Sequence, residues 1–300
     1  MINPASLFKG DKIGIVAPAR KIQMAEIEAA IKVFENWGLK VELGKNIFAE
    51  DRQFAGTDKQ RAEDLQYMLD NPNIKAIISA RGGYGTIKLL SLLDFTKFLR
   101  NPKWIVGYSD ITALHAHINQ NLGVKTIHGT MPLNFPKDFT EDEAIESLKR
   151  ALWGDHNIYN IRPHKFNREG NITGELVGGN LSVLCSIART KYDIKTNGKI
   201  LVLEDLDEYL YHIDRMMMNL KYSGKLENLN GLIIGGMCNM NDNEVPFGKT
   251  AYEIIYDAIK EYSYPVCYQF PAGHIENNYA LVLGAEARLE VGSENVIFKN

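Results

Sequence analysis

The sequence is poor in cysteine, with only Cys185, Cys238 and Cys267 among 300 residues. They are odd in number and widely spaced, which argues against a disulfide framework and against a Cys-x-x-Cys zinc site. No histidine and acid pattern of the HExxH type is present either, so we expect no bound metal. So few cysteines are typical of a protein kept in a reducing compartment, and we expect a cytoplasmic location.

Long apolar runs and a strong net charge are also lacking. No window approaches the roughly 20 apolar residues that a membrane-spanning helix needs. The N-terminal stretch "MINPASLFKGDKIGIVAPAR" has an apolar run, residues 13–17, that is too short for a signal peptide. The formal net charge of -3 gives no electrostatic reason to expect binding to nucleic acid. We therefore expect neither a membrane nor a nucleic acid as a partner.

The sequence does contain enough apolar residues, 45%, to bury a substantial core. In the first half, β-branched runs alternate with amphipathic segments, which favours a parallel α/β sheet. The expected strands are 12–18, 40–44, 74–80, 103–109 and 124–129. The expected helices are 24–38, 57–72, 86–95 and 110–123.

A polar, turn-rich stretch at 150–174 interrupts this rhythm. We therefore divide the chain into an N-terminal α/β domain (1–160), a linker (161–175) and a C-terminal domain (176–300). The C-terminal part has helical patterns at 178–190, 211–224 and near 248–262, and strand patterns at 198–205, 229–237, 264–270 and 281–291.

One stretch with chemical potential is "WIVGYSDITALHAH" (104–117). A strand, a glycine turn and a helix around Ser109 resemble a nucleophile elbow, although Ile111 stands where the second glycine of G-x-S-x-G would be. The alternative is that Ser109 or Asp110 simply caps the helix. Because His115 lies about 9 Å farther along a helix, it is too distant to serve as the base, and His117 is farther still.

The stretch "ARGGYGT" (80–86) ends another strand and carries three glycines. They either form a tight turn or supply a backbone N–H to an oxyanion hole. Farther along, "LVLEDLDE" (201–208) places acids at a strand end, where they are solvated or orient a histidine, and "FPAGHIENN" (270–278) places His274 in a loop. None of these patterns decides the function alone.

Taken together, the segments resemble the LD-carboxypeptidase family of cytoplasmic serine peptidases, which includes murein tetrapeptide carboxypeptidases and microcin-immunity peptidases. The matching stretches follow the family's order over nearly the whole chain. They are "GDKIGIVAPA" (10–19), "SARGGYGTIKLL" (79–90), "IVGYSDITALH" (105–115), "GGNLSVL" (178–184), "LEDLDEYLYHIDRMMMNL" (203–220) and "PAGHIENNYALVLGAEARL" (271–289).

The resemblance implies a catalytic triad with Ser109 as nucleophile, Glu204 as acid and His274 as base. The oxyanion hole would use the backbone N–H of Asp110 and one from Gly82 or Gly83. It further implies a Rossmann-like parallel-sheet N-terminal domain, a smaller α/β C-terminal domain, a homodimer and no cofactor. Assigning Glu204 rather than Asp205, Asp207 or Glu208 rests on the family's "ED" pair.

The expected function is removal of the terminal D-alanine of a murein tetrapeptide in peptidoglycan recycling, with a small muropeptide as substrate. Arg81 is positioned to contribute to binding the terminal carboxylate. Thr130 stands in "HGTM" where many relatives are expected to have proline, which bears on a loop near the site. Two alternatives stay open: a microcin-type immunity peptidase that cleaves a peptidyl-nucleotide, and a non-catalytic two-domain protein that binds an anion or peptide.

Overall fold

The computed structural model describes all 300 residues and contains two β-sheets. The first sheet has six strands. In spatial order they are β11 (Leu281–Leu283), β5 (Thr126–His128), β4 (Trp104–Gly107), β3 (Ile74–Ser79), β1 (Lys12–Val16) and β2 (Lys40–Leu43). All neighbours are parallel except β11, which runs antiparallel to β5. The carboxyl ends of β3, β4 and β5 therefore share one edge, where ligands of such sheets bind.

Six helices belong to the first half; the first five connect the parallel strands of the first sheet, and the sixth leads from β5 toward the second sheet. They are α1 (Met24–Asn36), α2 (Asp58–Asp70), α3 (Thr86–Leu89), α4 (Thr96–Arg100), α5 (Thr112–His117) and α6 (Glu143–Trp153). Local sequence explains the ends of several: Thr57 accepts the N–H of Gln60 in a capping box at the start of α2, and Gly38, at φ 85°, follows α1. No helix in the protein is long and apolar enough to cross a membrane.

The second sheet has seven strands of mixed direction. In spatial order they are β10 (Val266–Cys267), β9 (Gly231–Cys238), β8 (Ile200–Leu206), β7 (Gly170–Asn180), β12 (Glu286–Val291), β13 (Val296–Lys299) and β6 (Ile158–Ile161). The four from β10 to β7 are parallel, and β7, β12, β13 and β6 are antiparallel. Helices α7 (Leu181–Ile187), α8 (Leu210–Tyr222) and α9 (Ala251–Ile259) connect the parallel strands.

The two halves share a core. The largest hydrophobic cluster joins Ile111 and Leu114 of the first half to Val177, Leu181 and other buried residues of the second. Strand β11 also crosses over, because it follows most of the second sheet in sequence yet pairs with β5 of the first. The mixed α/β architecture with a parallel sheet thus confirms the expected fold class.

Three sequence-based expectations about local structure were wrong. The expected helix 86–95 ends at Leu89, and a separate helix begins at Thr96, whose N–H donates to the side chain of Asp94. The expected helix 110–123 consists of a 3-10 turn, α5 and a π-helical segment. Strand β7 begins at Gly170, inside the expected linker 161–175, since its first residues alternate between exposed and half-buried positions along the edge of β12.

Candidate active site

Ser109 sits at a sharp turn between β4 and α5. Its φ of 63° places a non-glycine residue in the left-handed region, a strained geometry that nucleophile elbows use to lift the hydroxyl above the sheet. Gly107, at φ 155°, precedes it, and a Cβ there would meet Ile111 at 2.8 Å. The turn therefore has the elbow geometry even though Ile111 replaces the second glycine of the pattern.

His115 supports the elbow from inside the protein. It is fully buried, and its Nε2 lies 2.8 Å from the carbonyl oxygen of Gly107. Burial lowers the pKa of His115 to about 3, so the ring is neutral and its Nε2–H donates to that carbonyl. His117 packs with the rings of Phe95 and Tyr192 instead. The structure thus gives both neighbouring histidines packing roles.

Asp110 ties the elbow to the glycine-rich loop "ARGGYGT". Its carboxylate accepts the backbone N–H of Thr86, the first residue of α3, at 2.7 Å. Asp110 is buried, which raises its pKa, while the hydrogen bond from Thr86 and the charge of Arg61 oppose that rise. Sequence reasoning gave Asp110 a backbone role in the oxyanion hole or a role as helix cap, and missed this contact, because it depends on the packing of two distant segments.

Gly82 brings the loop against the nucleophile. A Cβ on Gly82 would lie 2.9 Å from Cβ and 3.0 Å from Oγ of Ser109. Gly83, at φ 121°, lies instead against the side chain of Arg20. An oxyanion hole requires backbone N–H groups beside the nucleophile, and the backbone of Gly82 lies beside Ser109. The contributions of Gly82, Gly83 and Asp110 to that hole stay predictions.

The variant Gly82→Ala tests this arrangement. Because the added methyl would press on Ser109, we expect kcat/KM to fall by about 100-fold or more, the scale of a lost oxyanion contact, with little change in thermal stability. Gly174→Ala on β7, where a Cβ meets only side chains at 3.2 Å or more and one backbone oxygen at 3.5 Å, is the matched control. Equal kcat/KM for the two variants would remove Gly82 from the site.

His274 and Glu204 form a buried pair within the second half of the chain. Nδ1 of His274 lies 2.7 Å from Oε2 of Glu204 at the end of β8. The side chain of Glu204 is 0% exposed and that of His274 is 14% exposed. Gly273, at φ 100°, permits the approach, since a Cβ there would lie 2.6 Å from Cβ of Glu204. The N–H of Gly273 donates to Asn278 Oδ1 at 2.8 Å and fixes the loop.

Each member of this pair shifts the pKa of the other. Burial alone would lower the pKa of His274, but the hydrogen bond and charge of Glu204 outweigh burial, and the pKa is raised. Burial alone would raise the pKa of Glu204, but the hydrogen bond and charge of His274 outweigh it, and the pKa is lowered. The pair is therefore built to hold a proton on the imidazole beside an ionised carboxylate.

The other acids of "LEDLDE" have different partners. Asp205 accepts hydrogen bonds from Asn180, Ser182 and Leu206, and burial together with the charge of Glu204 raises its pKa to about 7. Asp207 bonds Asn241, and Glu208 lies 2.9 Å from His212. Among these four acids, Glu204 is the one whose carboxylate contacts His274.

Asn180, in "GGNLSVL", joins the two halves at the site. Its N–H donates to Oγ1 of Thr112 in α5 at 3.0 Å, and its side chain accepts the N–H of Val183 as the cap of α7. Gly179, at φ 136°, packs directly on Thr112. Sequence reasoning gave Asn180 no role. The two glycines that precede it, just before the start of α7, were the available sign that the chain makes a close contact there.

Ser109 and His274 line one cleft of about 500 Å³ between the two halves. The buried ring of Tyr108 packs against His274, with centroids 4.9 Å apart. The cleft is lined by Arg20, Arg81, Gly82, Gly83, Tyr108, Ser109, Met131, Leu133, Asn134, Asn180, Ser182, Val183, Asp205, Leu206, Asp207, Glu208 and His274. A larger groove, of about 790 Å³, lies elsewhere and contains none of the predicted site residues.

Charge is divided across this cleft. Arg20 and Arg81 lie on the first half, while Asp205, Asp207 and Glu208 belong to the second. Arg81 also donates from Nη1 to the carbonyl of Lys21 at 3.1 Å, which fixes its position. Arg20 is a cleft residue that the sequence patterns did not reveal. No group of three or more His, Cys, Asp or Glu side chains is arranged to hold a metal ion.

Comparison with known proteins gives matches over both halves. The family model described as the LD-carboxypeptidase N-terminal domain matches residues 13–129, and that of the LD-carboxypeptidase C-terminal domain matches residues 173–289. The chain is 33% identical to a probable murein peptide carboxypeptidase of Bacillus subtilis, covering 99% of the chain and 94% of that protein. It is 28% identical to the microcin C7 self-immunity protein MccF of Escherichia coli, over 97% and 94% of the two chains.

A solved structure is also similar. The crystal structure of muramoyltetrapeptide carboxypeptidase from Oxalobacter formigenes superposes with a TM-score of 0.86 at 25% sequence identity. The match covers 96% of this chain and 98% of that one. The similarity therefore extends over both sheets and the cleft between them.

Proposed function

Because the chain belongs to the LD-carboxypeptidase family of serine peptidases, we propose that it hydrolyses the bond between a diamino acid and the terminal D-alanine of murein tetrapeptides, in cell-wall recycling. The observation that carries the proposal is the strained elbow of Ser109 opening into the same cleft as the His274–Glu204 pair. Family membership makes the chain a peptidase and leaves a non-catalytic binding protein without support.

In the proposed mechanism, Oγ of Ser109 attacks the carbonyl carbon of the diamino acid while Nε2 of His274 takes the hydroxyl proton. Glu204 holds Nδ1–H of His274 and stabilises the imidazolium. Backbone N–H groups of the Gly82 loop and of Asp110 bind the oxyanion. His274 then protonates the departing amine of D-alanine, and water, activated by the same histidine, hydrolyses the acyl-enzyme.

The division of charge in the cleft supports a substrate of this class. A murein tetrapeptide ends in a carboxylate, and its diamino acid carries an amine on the side chain. Arg20 and Arg81 suit the carboxylate, and Asp207 or Glu208 suits the amine. The cleft volume of about 500 Å³ is within the usual range for a small-molecule site.

The lining of the cleft favours a peptide over a peptidyl-nucleotide. Its single Phe, Tyr or Trp side chain, Tyr108, is 6% exposed and covered by His274, so none of these larger rings in the lining is free to stack on an adenine. The similarity to the microcin immunity protein nevertheless makes a peptidyl-adenylate the appropriate competing substrate.

The substrate is tested with a panel of purified muropeptides ending in the third, fourth or fifth residue, plus a peptidyl-adenylate analogue. We expect release of free D-alanine from the tetrapeptide alone. Intact tetrapeptide after prolonged incubation would contradict the substrate assignment. Cleavage of the adenylate with the tetrapeptide left intact would favour the immunity activity instead.

The pH dependence of kcat/KM follows from the raised pKa of His274. The base must be neutral to accept a proton, so activity is low below that pKa and rises as pH increases through it. Since Glu204 raises the pKa above the ordinary value of 6.5, we expect the midpoint of the rise above pH 6.5. The measurement is kcat/KM on the tetrapeptide from about pH 5 to pH 9. A midpoint below pH 6.5 would contradict the assigned pair.

The homodimer and the cytoplasmic location that the family resemblance implies belong to this proposal as well. Sedimentation of the purified protein across a concentration series tests the first of them. A species with the mass of one chain at all concentrations would rule the dimer out.

A further inference from the structure

His128, the last residue of β5, is a buried histidine with no role in the proposed mechanism. Its side chain is 0% exposed, and neither ring nitrogen has a hydrogen-bond partner among the protein groups. Leaving a buried polar group unpaired costs about 1–3 kcal/mol. A buried imidazole beside the active site is therefore expected to have a hydrogen-bond partner.

The triad acid has a matching unpaired atom. Oε2 of Glu204 contacts His274, whereas Oε1 is buried with no protein group at hydrogen-bonding distance, and the nearby amide of Asn180 helps to lower the pKa of Glu204. The charges of Glu204 and His274 both act on His128, and the Tyr108 ring packs on both histidines, with centroids 5.9 Å from His128 and 4.9 Å from His274. His128 thus lies close enough to the Glu204–His274 pair to feel both charges, with Tyr108 packed against both histidines.

The protonation state of His128 makes it a suitable donor. Burial lowers the pKa of His128 to about 4, so the ring is neutral at physiological pH. A neutral imidazole has one N–H donor and one acceptor nitrogen. Its N–H is thereby available to donate toward the carboxylate, and its other nitrogen can act only as an acceptor.

We propose that His128 is a positioning residue whose N–H reaches Oε1 of Glu204 through one buried water molecule. A water in this place has polar partners on both sides, as buried waters require. The carboxylate would then be held at both oxygens and could not rotate away from His274. The inference rests on the proposed triad of Ser109, Glu204 and His274.

The second donor also affects the proton affinity of the pair. A donor to Oε1 stabilises the negative charge of Glu204. It therefore lowers the pKa at which the coupled Glu204–His274 pair binds a proton. Removing the donor should therefore shift the acidic limb of the pH profile to higher pH. Other titratable groups face this region, namely Asp205, Tyr108, His115 and Cys238. All four are retained in every variant of His128, so the profiles differ only by the side chain at position 128 and its effect on these groups.

The test compares His128→Phe, His128→Asn and His128→Gln with the unchanged protein. Phenylalanine fills the space without a donor, whereas asparagine and glutamine place an amide N–H near the position of Nδ1 and Nε2, respectively. The readouts are kcat and KM on the tetrapeptide, and the rate at which a fluorophosphonate labels Ser109 as a function of pH. The labelling rate reports on the triad without any peptide substrate.

For His128→Phe we expect the labelling rate and kcat to fall about 10- to 100-fold, as for other losses of outer hydrogen-bond partners. KM should stay within about two-fold of that of the unchanged protein. The acidic limb of the pH profile should move to higher pH. One of the two amide variants should restore the labelling rate, kcat and the acidic limb of the pH profile. Only one is expected to do so, because only one ring nitrogen of His128 is proposed to donate toward the carboxylate. His117→Phe, a histidine replaced away from the pair, should match the unchanged protein.

The outcomes separate this inference from the proposed function. If the unchanged protein is not labelled, the triad and this inference both fail. If it is labelled and His128→Phe is labelled equally fast with the same acidic limb, the inference alone fails. Should His128→Phe not fold, the amide variants decide: unequal rates support the inference, and equal rates overturn it.

Discussion

Ser109→Ala is expected to abolish peptide hydrolysis, lowering kcat by about four to six orders of magnitude. The hydroxyl is the only group at the elbow that can form the acyl-enzyme, and the remaining cleft can then only bind the substrate. Because alanine differs from serine by one oxygen at the same strained φ of 63°, the fold should be unaffected. The assay is release of D-alanine from the tetrapeptide, with the circular dichroism spectrum as a check of folding.

A labelling experiment makes the same prediction specific to one residue. A fluorophosphonate should add a single adduct to the unchanged protein, and peptide mapping should place it on Ser109. Ser186→Ala, at an exposed serine of α7 outside the cleft, is the matched control and should keep full activity and labelling. Activity in Ser109→Ala within ten-fold of the unchanged protein would end the serine mechanism.

Glu204→Gln is expected to lower kcat by about 10⁴-fold, the cost known for an amide in place of a triad carboxylate. The amide keeps the shape but loses the charge that stabilises the imidazolium, and its N–H competes with Nδ1–H of His274. Since Glu204 is fully buried against His274, bulk solvent cannot replace the lost charge. KM should change much less than kcat, which steady-state kinetics on the tetrapeptide will show.

The matched control for this variant is Glu175→Gln on β7. It removes one carboxylate that pairs with Lys199 at 2.7 Å, outside the cleft. We expect its kcat to equal that of the unchanged protein. A kcat for Glu204→Gln as high as that of the control would assign the orientation of His274 to another group, with Asp205 the nearest alternative.

The sequence was most informative where a local pattern has one structural meaning. The strand, glycine and serine of "VGYS" predicted a turn, and the structure has it, with Ser109 in the left-handed region. The helical spacing excluded His115 and His117 as bases, and both instead pack within the protein. Such inferences need only geometry within about ten residues of chain.

Features that depend on segments far apart in sequence were not predictable from patterns. The contact between Asp110 and Thr86, the place of Arg20 in the cleft and the link between Asn180 and Thr112 each join distant stretches. For the same reason, the pattern "LEDLDE" could not single out Glu204. Only the folded chain shows which acid meets His274, because Gly273 packs directly against Glu204 and brings Nδ1 of His274 to 2.7 Å from its carboxylate.

Some errors in local structure arose from side chains that compete with backbone hydrogen bonds. Apolar spacing alone predicted one helix over 86–95, but α3 ends at Leu89, and Asp94 accepts the N–H of Thr96 at the start of the next helix. The polar stretch expected as a linker contains the start of β7, because a strand edge covered only on one face tolerates polar residues. Periodicity identifies long amphipathic elements and misses these exceptions.

Strand β11 has a consequence for biosynthesis. A nascent chain that has already released β1 to β5 from the ribosome still presents β5 with one unpaired edge, and unpaired edges of this kind invite association with other strands. Residues 281–283, which cover that edge, leave the ribosome shortly after the loop that carries His274. Only β12 and β13 follow them. Completion of the first sheet and arrival of the proposed base are therefore nearly simultaneous. On the proposed triad, Ser109 would have no base until then, so a partly synthesised chain would have no hydrolase activity.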